Sequence, residues 1–152
     1  MDKLKFLSVE FPLLVRRLEP GAKGVWGVLN AQQMVEHMSD SIRIATGKAN
    51  ASLHTPVEQV EGYKRFAMSD KEFKRETKNA LMPDVPDPIR NDSMAEAIQE
   101  LEREIRDFIS YFDNNEQATL TNPFFGDLNF QEWTHLFHKH AVHHSRQFEL
   151  ID

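Results

Sequence analysis

The run "SMAEAIQELEREIRDFISYF", residues 93–112, sets Ile98, Leu101, Ile105, Phe108, Ile109 and Phe112 at helical steps of three and four. That period gathers large apolar groups on one face of an α-helix. Ser93 followed by Glu96 makes a capping box that starts it. A helix with one apolar face gains most of its stability from whatever covers that face. The rest of the chain therefore has to supply further elements.

The turn residues show where these lie. A short helix is predicted near "EFPLLVRRLEPG", with Pro12 in its first turn and Pro20-Gly21 as its stop. The ten residues before it read as a helical turn or a packed arm. Asn30 is a good N-cap and Gly47 a good stop, which predicts a helix over Asn30–Thr46. A polar connection follows. Ser69 with Glu72 forms another capping box and predicts a helix over 70–81. "MPDVPDPIRND" and "DNNEQATLTNPFFGDL" read as loops. Asn129 with Glu132 starts a last helix over about 130–149. No segment alternates as a strand does. The expectation is an all-α bundle of four main helices with one or two short extra helices, forming one domain over residues 1–152.

Composition narrows the function. The net charge is −6 and no block of Lys and Arg overrides it, which argues against nucleic-acid partners. With no cysteine, the chain can form no disulfide, zinc-thiolate site or cysteine nucleophile. The N-terminus lacks the apolar core of a signal peptide, and no apolar run approaches the roughly 18 residues that suggest a membrane span. A cytoplasmic protein acting on a small molecule is expected, without nucleic-acid or membrane partners.

Five of the seven histidines fall between His135 and His144. On a helical wheel of about 100° per residue, His140 and His144 sit inside the arc that holds Trp133, Leu136, Phe137, Gln147 and Phe148. They occupy positions where leucine is the ordinary core choice. His135 and His138 point the opposite way and are expected to be solvated, and His143 lies on the flank. A histidine pair at i and i+4 can direct two imidazole nitrogens at one ion, as helical zinc motifs do. On the second helix His37 shares an inward arc with Met34, Met38, Ile44 and Ala45, and with Trp26 if the helix reaches that far. Three imidazoles without a fourth protein ligand match an open metal site, and imidazole suits Zn²⁺, Ni²⁺, Fe²⁺ and Cu²⁺. From the residues alone, a buried polar network stays open as the other reading.

These residues carry a resemblance. "WGVLNAQQMVEHM" with His37, and "NPFFGDLNFQEWTHLFHKHAVHHSRQF" with His140, His144 and Gln147, resemble the DinB/YfiT-like superfamily of four-helix-bundle metalloenzymes. The similarity runs from about residue 11 to 150 and looks closest to a branch without an assigned reaction. Ser145-Arg146 stands where many members have Arg-Gly, a departure that leaves the ligand positions intact. The resemblance implies His37, His140 and His144 as a metal triad. It also implies an up-down-down-up bundle with a long second crossover. Relatives include transferases and isomerases that use an external low-molecular-weight thiol, and dimers are frequent among them.

An ion with a free position, zinc or nickel before iron, would activate water or such a thiol. The expected activity is of the transferase or hydrolase type. Two other readings compete with it: a non-catalytic metal-binding or interaction module, and a plain bundle with a hydrogen-bonded histidine core. Gln147 is a candidate to orient a ligand or substrate, and Asp40 to accept the second N–H of His37. His143 is either a general base or a bridge to a neighbouring helix, the bridge being preferred. Glu36 is expected to face solvent.

Overall fold

The computed structural model describes residues 2–75 and 85–152, and among these it is mostly helical with one small hairpin. The chain opens with α1 (Lys3–Lys5), a π-helical stretch Phe6–Glu10 and α2 (Phe11–Val15), which follow one another without a break. Asp2 caps the start by accepting from the Lys5 N–H. Pro12 falls in the first turn of α2, where its missing N–H costs little. Phe6, Leu7, Phe11 and Val15 are buried.

Helix α3 (Ala31–Ile44) begins in a complete capping box: Asn30 accepts from the Gln33 N–H at 2.8 Å, and the Gln33 side chain accepts from the Asn30 N–H at 2.9 Å. It buries Met34, Val35, Met38 and Ile42. Beyond its end Gly47 takes a positive φ of 73°, as a helix stop requires. Trp26 lies in the loop before α3 rather than on the helix.

The next helix corrects the sequence reading. α4 (Val57–Met68) occupies the polar connection. It buries only Ala67 and leaves Val57, Tyr63 and Phe66 exposed, so it shows no apolar stripe to read. Ser69 does not cap a following helix. It closes α4, its hydroxyl donating to the Phe66 carbonyl at 2.6 Å. Residues 71–75 are not helical, and the remainder of the helix expected over 70–81 lies outside the described residues.

α5 (Met94–Asn114) starts at Ser93, whose hydroxyl accepts from the Glu96 N–H. The Glu96 carboxylate accepts from the Asp92 N–H instead of closing the box. Strands β1 (Leu120–Asn122) and β2 (Gly126–Leu128) pair antiparallel, Thr121 opposite Asp127, in a segment read from sequence as loop. Each strand is three residues long, too short for alternation to register. α6 (Phe130–Gln147) begins in a second reciprocal box, Asn129 with Glu132.

α3 packs chiefly on α5, while α6 meets the N-terminal helical segment, α3 and α4. Between them Phe108 stacks on Phe130 and meets Phe137 edge-on, and Trp133 stacks on Phe137 at 5.3 Å. One face of the α3–α5 contact is charged. Glu36, expected in solvent, is buried. It accepts from the Arg90 N–H at 2.9 Å, the Asn91 N–H at 3.1 Å, the Asn91 side chain at 3.1 Å and Gln32 at 3.2 Å. The Arg90 guanidinium then pairs with Asp40 on α3 and Glu100 on α5. Of the Glu36 partners, Arg90 and Asn91 lie 54 and 55 residues away, which no local pattern on α3 reveals. Burial pushes the Glu36 carboxyl up, but these hydrogen bonds outweigh it and hold its pKa below the usual value.

Glu36→Ala leaves two backbone N–H groups without their acceptor, so unfolding free energy should fall by about 1–3 kcal/mol. Glu102→Ala, which removes the partly exposed partner of the exposed Arg16, should cost about 1 kcal/mol or less. Urea denaturation of both variants checks the contrast. Because the folded pKa of Glu36 is depressed, its contribution is present above the ordinary carboxylate range and is lost as pH falls through it.

Candidate metal centre

His37 stands on α3, and His140 and His144 stand one turn apart on α6. Contact between the two helices brings the three rings together. His140 Nε2 lies 3.2 Å from His37 Nε2 and 2.9 Å from His144 Nε2. One donor atom from each residue lies within 4.8 Å of the others. His144 is buried, while His37 and His140 keep a partly exposed edge.

The chemistry of these nitrogens tests the polar-network reading. Gln147 decides the state of His144. The Trp26 carbonyl can only accept, so the Gln147 Nε2 amide donates to it at 2.9 Å. That places Gln147 Oε1 2.7 Å from His144 Nδ1, which must therefore carry the proton. His144 Nε2 is left with a lone pair directed into the cluster. His140 Nε2 has a single in-plane direction for a proton or lone pair, yet it faces two ring nitrogens. It cannot bond both well. A cation serves all three lone pairs at once. Ligand bonds of about 2.0–2.1 Å in a tetrahedral site put nitrogens roughly 3.3 Å apart, close to the two separations here.

The loop before α3 is shaped around Gln147. Val25 N–H donates to the Gln147 carbonyl at 2.8 Å. A Cβ on Gly24 would come within 2.7 Å of Gln147 Cγ. One on Gly27, whose φ is +79°, would come within 2.7 Å of Gln147 Nε2. Both glycines let the backbone close on the amide that holds His144.

Burial lowers the basicity of the triad. His37 is depressed to about 4, first by desolvation and then by His143. His144 is depressed to about 3, first by desolvation and then by His37. Desolvation, aided by His144, His37 and His143, keeps His140 well below its usual value. At neutral pH all three are neutral, the state a metal ion requires.

The supporting residues sort differently from the sequence reading. Gln147 does touch His144. Asp40 does not reach an imidazole; its carboxylate pairs with Arg90 at 2.9 Å. His143 hydrogen-bonds the Phe73 backbone and so ties down the segment after α4, and burial depresses its pKa. His135 and His138 are partly buried rather than solvated. His135 contacts Lys3 Nζ at 2.6 Å and the Ser69 carbonyl at 3.0 Å, and His138 meets Phe6 edge-on. The N-terminal helical segment covers that face of α6, and it starts too far away in sequence for the wheel to anticipate.

The site also holds Phe73 and Arg75, which the sequence did not single out, and Trp26, which stands in the early motif. The Phe73 ring lies 6.4 Å from His140 and 6.2 Å from His143. Trp26 meets His143 edge-on at 5.5 Å, and the Arg75 guanidinium lies over Trp26 at 4.5 Å. Phe73 and Arg75 fall in the stretch read from sequence as part of a helix over 70–81, and nothing in that reading brought them to the triad.

A family model described as the DinB superfamily matches residues 19–148, which include all three histidines, Gln147 and the Gly24–Gly27 loop. No curated protein and no solved structure gives a match.

Gln147→Leu should weaken divalent-ion affinity about 10–100-fold by releasing the tautomer of His144, as read by competition with a chromophoric chelator. Gly27→Ala should act in the same direction, since its Cβ would collide with the amide. In metal-free protein the triad is neutral when folded and titrates near 6.5 when unfolded. The unfolded chain then binds more protons between pH 6.5 and about 4, and stability should fall as pH is lowered through that window. Urea midpoints across it should slope less in a His140→Leu/His144→Leu variant.

Proposed function

The chain belongs to the DinB superfamily, and on that premise we propose that it is a metal-dependent enzyme of the transferase or hydrolase type. The convergence of three neutral imidazole nitrogens from α3 and α6 carries this reading. His37, His140 and His144 would hold one divalent ion. Zinc or nickel suits this donor set best, with iron next. Such an ion supplies Lewis acidity and brings the pKa of a bound water or small-molecule thiol toward neutrality. A thiol would have to come from outside, because the chain has no cysteine.

The protein's own residues do the positioning. Gln147 holds His144 in the ligating tautomer. His143 holds the Phe73 segment beside the partly exposed edges of His37 and His140. The Phe73 ring lies beside His140, and the Trp26 ring lies beside His143. The fold that accompanies this reading is a four-helix bundle run up-down-down-up, with α4 carried on the long crossover between α3 and α5. Among the described residues no helix is long and apolar enough to cross a membrane. A cytoplasmic protein acting on a small molecule is part of the proposal.

Tag-free protein grown in metal-supplemented medium should contain about one divalent ion per chain by elemental analysis. A His140→Ala/His144→Ala variant should contain none. Chelation should lower the melting temperature of the wild type only; free metal at a hundredfold excess over Kd is worth about 2.7 kcal/mol. Equal melting with and without chelator, and no ion in either protein, would sink the reading. A bound ion with no turnover across pairs of thiols and electrophiles would favour the non-catalytic module.

A further inference from the structure

We propose that this site takes an organic anion whose carboxylate is held by Arg75 above Trp26 while its reacting end lies at the histidine triad. The proposal rests on the metal reading of the triad and adds a substrate class to it.

Charge is the first argument. All three donors are neutral imidazoles, so an ion among them keeps its full double charge. The carboxylate acting on His143 is Glu72, and it is already paired with Arg146. The centre is thus a positive spot on a chain of net charge −6, and such a spot draws anions.

Arg75 is the second. Its guanidinium lies over the Trp26 ring and makes no ion pair among the described residues. A guanidinium stacked on an aromatic face keeps its N–H edge free, and that planar fork matches a carboxylate with two parallel hydrogen bonds. The stack orients the fork before any ligand arrives.

Trp26 is the third. It is only 8% exposed, and its Nε1–H is buried without an acceptor. The same ring meets His143, the neighbour of His144. Phe73, two residues before Arg75, lies beside His140. A molecule spanning from Arg75 to the triad would therefore pass an apolar wall between two positive ends. That suits a carboxylate joined to an apolar body.

Benzoate and its neutral isostere benzamide are suitable probes, titrated into metal-loaded and metal-free protein. Tryptophan fluorescence reads the binding: Trp26 lies at the site, and Trp133, the other tryptophan, is buried in the core. Wild type should bind benzoate about tenfold or more tighter than benzamide in both states. In metal-free protein Arg75→Gln should abolish that preference and Arg75→Lys should keep part of it, with the capacity to load metal unchanged in both. Arg75 is exposed, so neither change disturbs the core. Equal binding of the two probes by wild type, or an undiminished benzoate preference in metal-free Arg75→Gln, overturns the proposal. Failure of the metal reading shows separately, as absence of an ion by elemental analysis, while the metal-free titrations still report on Arg75.

Discussion

The Trp26 carbonyl accepts from Gln147, and because a carbonyl has no proton to give, that contact settles everything downstream. It turns the amide so that Oε1 faces His144 Nδ1, and it thereby assigns the imidazole proton and the opposing lone pair. A backbone group with one possible role thus determines the chemical state of a side chain two hydrogen bonds away. The glycines at 24 and 27 serve this relay, since any side chain there would push the amide out of register. The loop before α3 and the last turn of α6 consequently act as one structural unit.

His37 needs its own constraint, because it comes from a different helix. Its neighbour Glu36 provides it. With hydrogen bonds from Arg90, Asn91 and Gln32, Glu36 fixes the rotation of α3 about its axis. Arg90 then ties that helix to α5 through Glu100. Turning α3 to move His37 away from α6 would strip the acceptor from the Arg90 and Asn91 N–H groups. The triad is therefore held from one side by a neutral relay and from the other by a charged one.

The sequence made the triad legible because helical periodicity places residues on faces without reference to partners. His140 and His144 fall in the core arc of α6, and His37 falls in that of α3, and the structure brings all three into contact. The capping boxes at Asn30 and Asn129 were legible for the same reason, each being a bond across three residues. Glu36 was misread because Arg90 and Asn91, which cover it, lie far along the chain in an irregular segment before α5. His135 and His138 were misread because the wheel cannot show that the N-terminal segment covers that face. α4 was missed because it presents almost no buried side chain, and Ser69, which caps its C-terminus, mimicked a start signal. Trp26, Phe73 and Arg75 meet near the triad only through long-range packing.

The separation of His37 and His140 has a thermodynamic meaning of its own. They lie 103 residues apart in a chain with no cysteine. An ion shared between them would be the molecule's cross-link, closing most of the sequence into a single ring. The entropy of closing such a ring grows only slowly with its length, so the long span adds little to the cost of forming the site. What it changes is the route to unfolding. With the ion in place neither α3 nor α6 can peel away alone. The chain must first give up its ligands, and the lifetime of the folded state becomes tied to how fast the ion leaves.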